Sequence, residues 1–188
     1  FRWPLALLVG AGALGFATPS LAQVAEVVVT AAKRETQLAD TPMSVTVVDA
    51  KALDATNAQD FGAFAKLVPG LSYTDAGPGN KRFALRGLQS AGEPEVALYY
   101  DEIPVAGLPG ASLDTGDSQP DFRLVDIERV EVLRGPQGTL YGNGSMGGAI
   151  RILSHRPDLQ NLESSIQLSG AATEGGNPST GVNGMLNL

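Results

Sequence analysis

The side chains able to do chemistry are few, and their spacing argues against catalysis. His155 is the only histidine and there is no cysteine. A multi-histidine metal centre, a thiolate site and a cysteine nucleophile are therefore excluded within these 188 residues. No serine stands in a Gly-x-Ser-x-Gly elbow, and His155 sits beside Arg156-Pro157 in what reads as a solvated turn, so a hydrolase triad has no support. Gly142-Asn143-Gly144-Ser145-Met146-Gly147 fits the Gly-x-Gly-x-x-Gly pattern. A dinucleotide site needs that pattern to follow a strand and open a helix; here it follows a turn and leads into Ile150 and Ile152. No Gly-Lys-Ser/Thr supplies a P-loop. Asp114, Asp117 and Asp121 could offer oxygen ligands to calcium, but their spacing is not that of an EF-hand and a solvated acidic loop is the plainer reading. No cofactor is expected.

What remains is chemistry of association. Glu26, Val27, Val28, Val29, Thr30 and Ala31 form a short β-branched run. Such a strand can add to a partner's sheet, taking affinity from main-chain hydrogen bonds; the alternative is the first strand of the domain itself. The formal net charge of −7 argues against a nucleic-acid partner, which wants a basic face.

The elements around these residues fall into four stretches. Residues 5–16 are an unbroken apolar run followed by Thr18-Pro19-Ser20-Leu21-Ala22, which suits a secretory leader over 1–22 cleaved after Ala22. Residues 23–43 carry the β-branched run and a polar stretch through Lys33-Arg34-Glu35-Thr36 to Pro42, read as a flexible lead-in. Residues 44–157 read as one small α+β domain with a mixed sheet and short helices. Within it, Asp49 caps a helix through Leu53, and Asn57 can cap a second, closed by Pro69-Gly70, whose Phe61, Phe64, Ala65 and Val68 share one face. Strands follow at 82–87 and 96–101, then a Gly/Pro/Ser/Asp-rich loop at 104–119. Strands at 127–134 and 149–153 flank a glycine-dense turn. In residues 158–188, Ile166 and Leu168 alternate with Ser165, Gln167 and Ser169, and Val182, Leu186 and Leu188 resume the alternation after a turn. That is the pattern of barrel strands with one face to lipid. Two strands cannot close a barrel, so either more strands follow or these form a soluble hairpin; the first is expected.

Three segments together resemble the plug of TonB-dependent outer-membrane receptors: Phe83-Ala84-Leu85-Arg86-Gly87 with residues 96–105, the run from Asp126 through Val130-Glu131-Val132-Leu133-Arg134-Gly135-Pro136-Gln137-Gly138 to Gly142, and Ser145-Met146-Gly147-Gly148-Ala149-Ile150-Arg151-Ile152. Asn143-Gly144 departs from the Arg-Asn that many members carry. The resemblance implies a plug inside a 22-stranded barrel, with residues 26–31 as the box that binds TonB and the cell outer membrane as its location. It implies that Arg86 and Arg134 seat the plug against acidic residues of the barrel wall, a task suited to a bidentate guanidinium; two exposed strand-end arginines is the alternative. Gly87, Gly135, Gly138, Gly142, Gly147 and Gly148 would serve as hinges where the backbone turns or approaches closely. Tyr73, Tyr99 and Tyr100 are candidates for a ligand-facing surface, though strand aromatics are more often core. The cargo implied is a ferric siderophore, with cobalamin or a saccharide as alternatives. The rivals are a stand-alone periplasmic binding module and a nucleotide-using enzyme.

Overall fold

The computed structural model describes residues 27–58, 60–77, 80–105, 116, 118–120, 122–172 and 174–187. The expected secretory leader over 1–22, Glu26, Asp114, Asp117, Asp121 and Leu188 lie outside the described residues. In chain order the elements are β1 (Val28–Val29), β2 (Thr36–Gln37), a 3-10 turn (Leu38–Asp40), β3 (Ser44–Asp49), α1 (Ala50–Ala55) and α2 (Phe61–Ala65). Then come β4 (Leu71–Asp75), β5 (Lys81–Leu85), β6 (Val96–Tyr100), β7 (Ile103–Val105), β8 (Ile127–Arg134), α3 (Gly138–Tyr141) and β9 (Gly148–Ser154). A last described pair is β10 (Glu163–Ala171) and β11 (Ser179–Asn187).

The core is a five-stranded mixed sheet in the order β3-β8-β9-β6-β7, in which only the β6–β9 pairing is parallel. Its central strands read Ile-Glu-Arg-Val-Glu-Val-Leu-Arg and Gly-Ala-Ile-Arg-Ile-Leu-Ser. Strand residues alternate between faces, so these two sequences give the sheet unlike sides. On one side Val48, Val130, Val132, Ile150, Ile152, Val96 and Leu98 are buried beneath Leu53, Phe61, Phe64 and Val68 and the β4–β5 hairpin. Phe61 meets Phe83 edge-on at 4.9 Å, and each such buried side chain contributes roughly 1.5–3 kcal/mol. The other side carries Leu133, Ala149 and Ala97 together with Arg129, Glu131 and Arg151, and is covered by Val29, Ala31, Leu38, Met43 and Tyr141.

Several local expectations need correction. The cap of the second helix is Asp60, whose Oδ1 accepts from the Ala63 amide at 2.7 Å. Asn57 instead takes φ +50° in the turn before it, a conformation that a short polar side chain tolerates. The helix stops at Ala65, yet Phe61, Phe64, Ala65 and Val68 are all buried as their spacing predicts. Asp49 does cap the first helix, accepting from Ala52 at 2.8 Å. Residues 71–75 form a strand that their polar composition concealed, and Ile103–Val105 extends the sheet through Pro104 because β7 is an edge strand, where a missing N–H is harmless. Residues 27–43 are not a flexible lead-in where described. They fold as a β1–β2 hairpin and a 3-10 turn laid on the charged side of the sheet.

The last two strands pair antiparallel with Leu168 opposite Val182, Ile166 opposite Gly184 and Ser164 opposite Leu186. This register puts Ile166, Leu168, Val182 and Leu186 on one face, with exposures of 78, 76, 73 and 63 %. Ser165, Gln167, Ser169 and Asn183 occupy the other. Among the described residues no helix is long and apolar enough to cross a membrane.

Candidate functional site

The leader strand β1 offers one open edge. Val28 lies opposite Gln37, and the Leu38 amide donates to the Val27 carbonyl at 2.9 Å. In an antiparallel ladder, hydrogen-bonded and non-hydrogen-bonded pairs alternate. Val28–Gln37 is therefore a non-bonded pair, and the Val28 N–H and C=O point away from β2. The next amide on that outer edge, Thr30 N–H, donates to Glu131 Oε1 at 3.1 Å.

Glu131 is the hub of a charge cluster on the covered side of the sheet. It stands opposite Arg151 in the β8–β9 register, and both are 0 % exposed. Arg151 Nη1 donates to Glu131 Oε2 at 2.7 Å and to Thr30 Oγ1 at 2.9 Å. Arg129 Nε donates to Glu131 Oε1 at 2.9 Å. Glu102 joins through Arg151 and through Lys33, which comes from the leader itself. Burial acts to raise the Glu102 carboxyl, and the Lys33 ammonium and Arg151 guanidinium outweigh it, so its pKa lies below the usual value. A buried ion pair adds little net stability, because desolvation offsets the attraction, but its geometry is specific.

An aromatic pair closes the other side of the leader. Tyr141 Oη donates to the Ala31 carbonyl at 2.7 Å, and Tyr99 Oη donates to the Tyr141 carbonyl at 2.9 Å. Lys33 Nζ sits 4.9 Å and 5.1 Å from the centres of the Tyr141 and Tyr99 rings, within cation–π range. Burial pushes the Tyr141 phenol up to about 12 from 10.0; Arg151 opposes this and Glu131 adds to it. A raised pKa favours the folded state below the unfolded value, so the contribution of Tyr141 is intact below pH 10 and is lost as pH climbs toward 12. Titration of phenolate absorbance should show a late-ionising tyrosine that Tyr141→Phe removes. Superimposable curves for the two proteins would count against this docking.

The two strand-end arginines meet at one turn. Arg134 Nη2 donates to the Pro69 carbonyl at 3.0 Å, and the Arg86 amide donates to the Gly70 carbonyl at 2.7 Å. Among the described residues neither guanidinium forms an ion pair. Of the six glycines expected to serve as hinges, Gly87, Gly135, Gly142 and Gly148 have positive φ. Gly147 is held by close approach, since a Cβ there would stand 3.1 Å from the Glu95 carbonyl oxygen, whereas Gly138 needs neither freedom nor space. The three tyrosines do not converge. Tyr73 packs on Phe83 at 5.2 Å, Tyr100 on Phe122 at 6.0 Å, and Tyr99 faces the leader. His155 is half exposed, with Nδ1 3.1 Å from Asp126 Oδ1, and among the described residues no cluster of His, Asp or Glu could hold a metal.

The model of the TonB-dependent Receptor Plug Domain family matches residues 37–149. The chain belongs to the TonB-dependent receptors. It is 38 % identical over 138 residues to the pesticin receptor of Yersinia pestis, an alignment covering 70 % of this chain and 19 % of that protein. It is 32 % identical over 184 residues to the iron-regulated outer membrane virulence protein of Vibrio cholerae, covering 91 % of this chain and 26 % of that one. In the crystal structure of the ferric yersiniabactin uptake receptor FyuA from Yersinia pestis, the match has a TM-score of 0.54 at 31 % identity, over 68 % of this chain and 19 % of that one. The chain thus spans about a fifth to a quarter of the length of these relatives. The expected fold holds: the matched plug is the mixed sheet with few short helices, and it belongs to receptors of the outer membrane.

Sequence reasoning passed over Glu131, Arg151, Arg129, Glu102, Lys33 and Tyr141. One signal was present. Arg129, Glu131 and Arg151 place charge on the two strands at the centre of the plug sheet, where a long apolar alternation would be expected. Opposite charges on neighbouring central strands point to a buried pair.

Proposed function

We propose that this chain is the plug, with the first wall strands, of an outer-membrane receptor that imports a ferric siderophore using energy delivered by TonB to the leader strand. The observation that carries the reading is the hairpin β10–β11, which follows the plug sheet directly. Its exposed Ile166, Leu168, Val182 and Leu186 make a lipid-compatible face, and its other face is polar apart from Met185, as suits a barrel wall. The iron-linked names of the Vibrio cholerae protein and the FyuA structure support an iron chelate as cargo. Arg134 through its guanidinium and Arg86 through its backbone amide contact the Pro69-Gly70 turn. Guanidinium groups at these two strand ends suit carboxylates on a surrounding wall, and the open Val28 edge suits strand addition by TonB.

Deleting the gene and measuring uptake of labelled iron chelates, cobalamin and saccharides tests the reading. Loss of transport for one ferric siderophore, restored by the gene only in cells that have TonB, is the expected result. Loss confined to cobalamin or a sugar would reassign the cargo. A product recovered in the soluble periplasm would replace the receptor with a binding module.

A further inference from the structure

We infer that Glu131 and Arg151 are positioning residues that hold the leader strand on the sheet and keep its outer edge partly occupied. The inference deepens the proposed function, since it concerns control of the strand assigned there to TonB. On the outer edge of β1, the Val28 amide has no partner among the described residues and the Thr30 amide is taken by Glu131 Oε1 at 3.1 Å. The carboxylate stands where an incoming strand would place its own carbonyl. A partner can therefore engage Val28 first and must displace Glu131 to extend the ladder through Thr30.

The carboxylate is fixed in that place by its own partners. Arg151 Nη1 grips both Glu131 Oε2 and Thr30 Oγ1, and Arg129 Nε holds Oε1. Two neighbouring contacts on the leader belong to the same clasp: Lys33 to Glu102, and the Tyr141 hydroxyl to the Ala31 carbonyl. Glu131 and Arg151 are 0 % exposed with the leader lying across them, and Arg151 Nε has no acceptor among the described residues. Water reaching these groups after release would satisfy them as well as the leader does. A charged clasp of this kind is specific in the closed state and leaves the open state well solvated, so the leader has two stable positions. An apolar seat would have favoured the closed one alone.

The absence of cysteine makes an introduced thiol a unique reporter within this chain. Val29→Cys places one beneath the leader and Val130→Cys places one on the opposite, helix-covered side; both parent residues are 0 % exposed. The double change E131Q/R151Q removes both buried charges together, which avoids stranding either one. Maleimide labelling is followed in the full-length receptor in outer-membrane fragments, with no partner or cargo added. With E131Q/R151Q, Val29→Cys should label on the order of tenfold faster or more, while Val130→Cys stays protected, as expected for local rather than global opening. Unchanged labelling at Val29→Cys overturns the inference, and so does acceleration at both positions, which would make the pair a support of the whole sheet. The labelling needs no TonB and no transport, so its failure leaves the proposed function standing, and failed uptake leaves the labelling result standing.

Discussion

Replacing Gly148 with alanine is expected to cost the plug its fold, with a loss above about 4 kcal/mol. Gly148 opens β9 and is flanked by Arg134 of β8 on one side and Val96 of β6 on the other. Its φ of +149° lies in a region open to glycine alone, and an added Cβ would stand 2.1 Å from the Leu133 carbonyl oxygen and 2.6 Å from Leu85 Cδ1. The carbonyl belongs to the ladder itself, so the strand must move to make room. Parting β8 from β9 also separates Glu131 from Arg151, and an unpaired buried charge adds to the damage. Gly138→Ala is the matched control: nothing lies within 4 Å of its Cβ and its φ is not positive. In the short helix α3 it should be neutral or stabilise by about 0.5–1 kcal/mol. Thermal melting of the two receptors and their abundance in the outer membrane give the comparison. Equal stability of the two variants would mean that the β8–β9 join tolerates a side chain.

Val28→Pro should reduce energised uptake on the order of tenfold or more while leaving the plug folded, because proline removes a ladder donor without disturbing an edge that faces outward. The Val28 amide points away from β2, so the β1–β2 hairpin keeps its own bond from Leu38 to Val27. Val28→Ala retains the amide and should transport normally. Uptake of the labelled chelate is measured against binding of the same chelate to de-energised cells, which the change should not alter. Undiminished uptake by the proline variant would remove this strand from the energy-coupling step. Loss of chelate binding along with uptake would instead show a general defect.

Residues whose partners lie nearby in the chain were legible before the fold was seen. Asp49 caps its helix three residues ahead, Phe61, Phe64, Ala65 and Val68 bury the face their spacing marks, and β10–β11 shows its two-faced alternation directly. The glycines were legible in part. Gly148 needs its missing side chain, while Gly138 looked alike in sequence and has no such need. What stayed hidden was the clasp, whose partners lie 101 positions apart for Thr30 and Glu131 and 121 for Thr30 and Arg151. No local pattern encodes such a contact, and only the register of β8 on β9 brings the two charges face to face. The Tyr99 hydroxyl was likewise unreadable as a contact to Tyr141, since that depends on how α3 folds back over β6.

The strand order β3-β8-β9-β6-β7 also constrains how the domain is made. β3 pairs only with β8, and β6 gains its inner neighbour only when β9 arrives. The β6–β7 and β8–β9 pairings join consecutive strands, but β3–β8 and β6–β9 each close a long loop, which raises the contact order and should slow folding. During synthesis β3 has no partner in the central sheet until β8 emerges, and β6 has none on its inner side until β9 does, which keeps the central sheet open for passage through a translocation channel. Completion of the last central strand then lets the domain close late and in one cooperative step.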